Sequence, residues 1–227
     1  MHPFKKNSID FERSFRRLIE NIQMENDIEE ALTHPLCRKT LDDENRFEIV
    51  SALSFSFNHK RNETYNITIY NNYGKTWDSE KKQISKLRIE MTNDQNIFEV
   101  YVKEFDDASF SEWKKKFHFD SDFQNFGKKF HELLDLCATK KTQFRVSWKK
   151  NLIVFSQHLE FKTIIIMKLD FQLADDEEYI NDQALHQYIS LIHNTNQQIE
   201  KLKRLKEHVQ KKNPQLARQL DRSSSKN

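Results

Sequence analysis

Glycine and proline are scarce: 2 and 3 residues among 227. A phosphate-cradling loop needs several glycines at fixed spacing, and Gly74 and Gly127 stand alone, which argues against the usual kinds of nucleotide binding. Cysteine is as sparse. Cys37 and Cys137 are far apart, and with no disulfide framework and no signal peptide the expected compartment is a reducing cytoplasm. The longest apolar run, 163–167, has the length of a strand and cannot span a bilayer, so no membrane partner is expected. An excess of either charge is missing too. With 37 basic and 35 acidic residues the net charge is +2, and the chain as a whole is no nucleic-acid polycation.

What is present is aromatic and periodic. Aromatics make up 12% and include 18 Phe, ample material for a core. Phe11, Phe15, Leu18 and Ile22 recur at helical spacing, and Ile28 with Leu32 can continue that stripe until Pro35 ends it. Residues 1–45 therefore read as a helical extension. It either docks on the head or binds a partner.

From Phe47 the period becomes two. Leu53, Phe55 and Phe57 alternate, then Tyr65, Ile67 and Ile69, then Leu87, Ile89 and Met91, then Phe98, Val100 and Val102. Helical spacing interrupts this pattern, first around Phe110 and Trp113 after Asp106-Asp107, then from Asp122. There Phe123, Phe126, Phe130, Leu133, Leu134 and Cys137 share one face. Strands return around Phe144–Trp148, at 152–157 and from Phe161 to Leu173. The expected fold is α+β: a seven-stranded sandwich or barrel head over 46–176, with a helical insert after strand four.

After Asp176 the pattern is helical to near the end. With Leu185, Ile192 and Ile199 at heptad position a, Tyr188, Thr195, Leu202 and Val209 fall at d, which predicts a parallel coiled-coil stalk over 177–212. Lys206 and Asn213 weaken the a column, Leu216 and Leu220 lie beyond, and Pro214 breaks or kinks the helix. Residues 213–227 read as a polar tail.

Catalytic groups do not assemble. His34 and Cys37 are two ligands where zinc needs four, so no metal or other cofactor is expected. Asp106-Asp107 and Asp175-Asp176 stand where strand gives way to helix, as caps do. Cys137 ends an apolar helical face. No nucleophile elbow, Walker loop or zinc-protease motif occurs. Lys114–Lys116 beside Trp113 is a basic cluster, yet Glu112 and Asp120 flank it, as on a solvated helix face. No enzyme activity and no small-molecule substrate are expected.

Order and spacing then point to a family. Residues 87–137 resemble the head of the spindle assembly abnormal protein 6 family, the centriolar cartwheel scaffold. The family's strand and Thr-Asp-Asp turn are matched by Leu87-Arg-Ile-Glu-Met-Thr92-Asn-Asp94, and its next strand by Phe98-Glu-Val-Tyr101. Its helix motif, Asp-Phe-x-x-Phe-Pro-x-Lys-Phe-x-x-Leu-Leu-x-x-Cys, is matched by Asp122, Phe123, Phe126, Lys129, Phe130, Leu133, Leu134 and Cys137. A second match runs from Phe161-Lys162 through Ile164, Met167, Leu169 and Phe171 to Asp176. The departures are Ile97 and Gly127 where the family has Pro, no Pro-Gly before Asp176, a short hairpin between Phe144 and Phe161, and the N-terminal extension.

The resemblance implies a structural self-assembling protein of the centriole or basal body, in the cytoplasm and cytoskeleton. Its implied partners are other copies of itself, through coil and head, and other centriole assembly proteins. It further implies that an apolar residue at the tip before the last head strand inserts into a second head to build ninefold rings. That residue is Phe161, with Leu159 in reserve; the alternative is that Phe161 starts a core strand. Two other readings stay open. One is a DNA end-joining scaffold with the same head-plus-coil architecture, and the other a family-like basal-body or conoid protein that assembles differently.

Overall fold

The structure is a computed structural model, and it describes residues 32–37, 47–57, 64–74, 83–93, 95–117 and 119–213. The apolar stripe from Phe11 to Ile28 and the tail leucines Leu216 and Leu220 lie outside the described residues. The chain divides into two compact units, Met1–His186 and Gln187–Asn227. The first turns of the C-terminal helix fall within the first unit.

In the head, strands β1 (Glu48–Ser56), β2 (Thr64–Asn72), β3 (Lys86–Asn93) and β4 (Asn96–Asp106) form an antiparallel meander. Their alternating residues bury Ile67, Ile69, Leu87, Ile89 and Met91 on one face, as a period of two requires. Helices α1 (Asp107–Phe117) and α2 (Phe123–Thr139) follow. Next come β5 (Phe144–Lys149), β6 (Leu152–His158) and β7 (Thr163–Asp170), a second sheet in the order β5-β6-β7. Lys150 and Asn151, both at positive φ (52° and 61°), make the two-residue turn joining β5 to β6, the handedness that suits the twist of a hairpin.

The expected seventh run does not stay whole. It starts at Thr163 rather than Phe161, and it breaks at Phe171. The Phe171 ring turns onto Trp148, with centroids 5.7 Å apart, and its N–H donates to the carbonyl of Asn151 at 2.7 Å. That bend sends Gln172–Leu173 across to β4 as an eighth strand, β8, which completes the order β1-β2-β3-β4-β8. A sequence run has no means of showing which sheet each half joins.

Two aromatic clusters fill the space between the layers. Trp148 of the small sheet meets Phe57, Tyr65 and Tyr101 of the large one. Phe105, Phe110, Trp113 and Phe126 pack ring against ring beside them. Helix α2 comes very close to the large sheet at Gly127, where an added Cβ would meet Ile69 at 3.1 Å and Leu87 at 3.2 Å. The acids at the helix starts are caps. Asp122 accepts from the Asn125 N–H at 2.7 Å, and Asp106 and Ser109 bond each other's backbone N–H. Those bonds hold both carboxyls below the usual carboxylate range, since bonds to the charged form favour it.

The last helix, α3 (Glu177–Lys212), runs without a break for 36 residues. Asp176 caps it, accepting from the Tyr179 N–H at 3.1 Å.

Candidate functional site

The strand pair β6–β7 ends in a four-residue tip, Leu159 to Lys162. The Leu159 N–H donates to the Lys162 carbonyl at 2.8 Å, and the His158 N–H donates to the Gln143 carbonyl at 2.7 Å. Thr163 and His158 close the base through a 3.0 Å side-chain hydrogen bond. Backbone and side chains alike hold the tip, so it presents its residues in a defined geometry. Phe161 stands at the tip 91% exposed, and Leu159 is 43% exposed. Phe161 therefore does not start a core strand.

Below the tip, Ile164 and Ile165 are also exposed. The β6–β7 register shifts between Phe155 and Ser156, which oppose Met167 and Ile165 and leave Ile166 as the extra residue. A bulge re-aims side chains, and here it separates the buried pair Met167 and Leu169 from the exposed end of the strand. Ile164 and Ile165 were absent from the expected site, because an unbroken apolar run reads as core on both faces. Four exposed apolar residues, Leu159, Phe161, Ile164 and Ile165, thus stand at or next to the tip.

Helix α3 presents the second apolar feature. Along α3, Leu202 is 64% exposed, Ile192 and Ile199 are exposed to a lesser degree, and Leu185, Tyr188 and Val209 are half-buried. Leu191 and Leu205 are exposed as well and widen the stripe beyond the a and d positions. Thr195, at d, turns its hydroxyl back to the Leu191 carbonyl at 2.8 Å. Its hydrogen bond is made within the helix.

A third feature lies on the outer face of the large sheet. Glu90 is 1% exposed. Arg88 donates to it from Nη2 at 2.7 Å and from Nε at 3.1 Å, and from Nη1 to Glu104 at 2.6 Å. The Tyr179 hydroxyl also donates to Glu90, and the Arg88 guanidinium lies 4.8 Å from the Tyr179 ring centre. His34 completes the group, with Nε2 at 2.7 Å from the Tyr70 hydroxyl and 3.3 Å from Glu90. Burial by itself raises the Glu90 carboxyl, but the bond to His34 and the Arg88 charge outweigh it and hold the group down at about 2. Burial pushes both tyrosine hydroxyls far up, so they stay neutral. Nothing in the periodicity marks this network, because alternation assigns Arg88 and Glu90 to solvent.

None of these places is built for bond chemistry. His34 spends both ring nitrogens on protein partners, Nδ1 accepting from the Leu36 N–H at 3.2 Å. Burial pushes the Cys137 thiol up to about 11, the mark of an inert cysteine. Among the described residues no group of His, Cys, Asp and Glu is placed to hold a metal ion, and no helix is long and apolar enough to cross a membrane.

The chain is thus an α+β protein with two sheets and a long, amphipathic C-terminal helix. Residues 50–171, over half of the chain, match the family described as the centriolar protein SAS N-terminal domain. The chain belongs to that family, whose members are structural scaffolds rather than enzymes. Among solved structures, it is similar to a point-mutant N-terminal fragment of Leishmania SAS-6 containing parts of its coiled coil domain. That match has 12% identity and a TM-score of 0.49, and it covers 79% of this chain and 97% of that one. A Drosophila melanogaster Sas-6 N-terminal fragment, dimerised via the coiled-coil domain, matches at 15% identity and a TM-score of 0.46, over 82% and 99%. The N-terminal coiled-coil dimer of C. elegans SAS-6 matches at 10% identity and 0.43, over 69% and 95%. No curated protein matches the sequence.

Proposed function

We propose that this protein is a self-assembling scaffold of the centriolar or basal-body cartwheel, joined copy to copy by two different contacts. In the first, the β6–β7 tip inserts Phe161, flanked by Leu159, into the head of a second copy. In the second, α3 pairs with the same helix of another copy as a parallel coiled coil, along Leu185, Tyr188, Ile192, Ile199, Leu202 and Val209. Each contact alone closes a dimer; the two in one chain link dimers into a ring or a spiral. A ring of nine such dimers would template ninefold symmetry at the hub of a forming centriole, in the cytoskeleton of the cytoplasm. Residues 46–176 serve as the head, 177–212 as the stalk, 1–45 as an extension and 213–227 as a tail.

The observation that carries the reading is Phe161. A large aromatic side chain almost wholly in water, on a tip held by its own hydrogen bonds, favours a partner that covers it. Burying it contributes about 1.5–3 kcal/mol, against an association cost of roughly 4–15 kcal/mol. The head contact is therefore weak alone, on the order of micromolar or weaker, and multivalency makes the assembly strong. Family membership favours this reading over a DNA end-joining scaffold. Electron micrographs of the full chain at high concentration test it: curved oligomers or closed rings are expected. Isolated dimers at every concentration would overturn it.

A further inference from the structure

Alternation along β3 sends Leu87, Ile89 and Met91 to the core and leaves Arg88, Glu90 and Thr92 on the opposite face. That face is not free. Glu90 and Thr92 are buried, and two separate pieces of chain reach Glu90. One is the root of α3, which bonds Glu90 through Tyr179. The other is the end of the N-terminal extension, residues 32–37, which meets Glu90 through His34 at 3.3 Å.

These two pieces also touch each other. His186, at the end of the root, lies with Nε2 at 3.1 Å from the Leu32 carbonyl, and its ring stands edge-on to His34 with centroids 5.1 Å apart. The segment itself is fastened to the sheet. The N–H of Phe47, just before β1, donates to the Leu36 carbonyl at 3.0 Å, and the Tyr70 hydroxyl of β2 lies 2.7 Å from His34 Nε2, while a 2.8 Å bond from the Cys37 N–H to the His34 carbonyl closes the segment on itself. Pro35 opens the tight turn Pro35–Cys37 that aims the His34 ring at Glu90.

We propose that residues 32–37 are a strap that fastens the root of α3 to the head, with His34 as its positioning residue. The sheet supplies a buried carboxylate, the root supplies Tyr179 and His186, and the strap ties both through one imidazole. The N-terminal extension is then a determinant of how firmly the helix root is held, a task the sheet shares but does not complete. The inference rests on the head's own contacts and stands whether or not the protein assembles as proposed.

Amide hydrogen exchange on the full chain tests it, with His34→Ala compared against the unaltered protein. Losing the 3.3 Å contact between the His34 ring and the buried carboxylate is expected to raise exchange of the amides in 177–186 by about tenfold or more. Helix α2, which has no part in the network, keeps its protection. His34→Gln, whose amide can still donate to Glu90, is expected to restore most of the protection at the root. Unchanged exchange at 177–186 in His34→Ala overturns the proposal. So does an equal loss of protection in α2, since His34 would then be an ordinary core residue whose removal loosens the whole head. Failure of His34→Gln to rescue the root counts against the proposal as well.

Discussion

Replacing Phe161 by Glu separates assembly from folding. In the single chain the side chain is 91% exposed and its tip is held by backbone bonds from Leu159 and His158. An exposed position of this kind tolerates substitution within about 0.5 kcal/mol of stability. In a head–head complex the same change forfeits about 1.5–3 kcal/mol of apolar burial, and it adds the cost of desolvating an unpaired carboxylate, at least several kcal/mol more. At roughly 1.4 kcal/mol per tenfold, association should weaken by at least about a thousandfold. The assay is light scattering on the chain with Ile199→Asp and Leu202→Asp already in place, so that only the head contact remains. The expected result is that self-association disappears while the unfolding midpoint is unchanged. Undiminished association would place the contact away from the tip, and a collapsed midpoint would mean that Phe161 supports the fold after all.

The stalk is tested by Ile199→Asp with Leu202→Asp alone. Each apolar side chain buried in the seam contributes about 1.5–3 kcal/mol, so sedimentation should find no stalk dimer at concentrations on the order of low micromolar; persisting dimers would sink the heptad assignment. Glu90→Gln tests the buried network through pH. Glu90 titrates at about 2 in the fold against an ordinary value of 4.5. Its contribution is therefore complete above 4.5 and is lost as pH falls through that interval. The difference is on the order of 3 kcal/mol. Urea unfolding should show a gap between native chain and variant that closes toward pH 2; a gap independent of pH would refute it.

Particular residues show how much was legible in advance. Strands β1 to β4 followed from alternation, and α2 from the broad face Phe123 to Cys137, because each element buries one face and a face has a fixed period. Asp106 and Asp122 were readable as caps, since a helix start leaves N–H groups that a nearby acid can satisfy. Phe161 came from its place in a family-like motif, and its exposure needed the structure. The length of β7 was not legible either. Four consecutive apolar residues, Ile164 to Met167, give no sign that a bulge at Ile166 divides the run into exposed and buried halves. Glu90 was the least visible of all, because a charged residue in an alternating strand looks like a solvent position.

By itself the sequence determined periodicity, and through it the order of strands and helices and the apolar stripe along α3. These are local properties, written in spacings of two and of three to four residues. The tertiary structure alone decided which strands share a sheet, where the final strand run breaks to cross between sheets, and which face of β3 is covered. The burial of Glu90 depends on His34 and Tyr179 arriving from positions far apart in the chain, and no local spacing records that meeting.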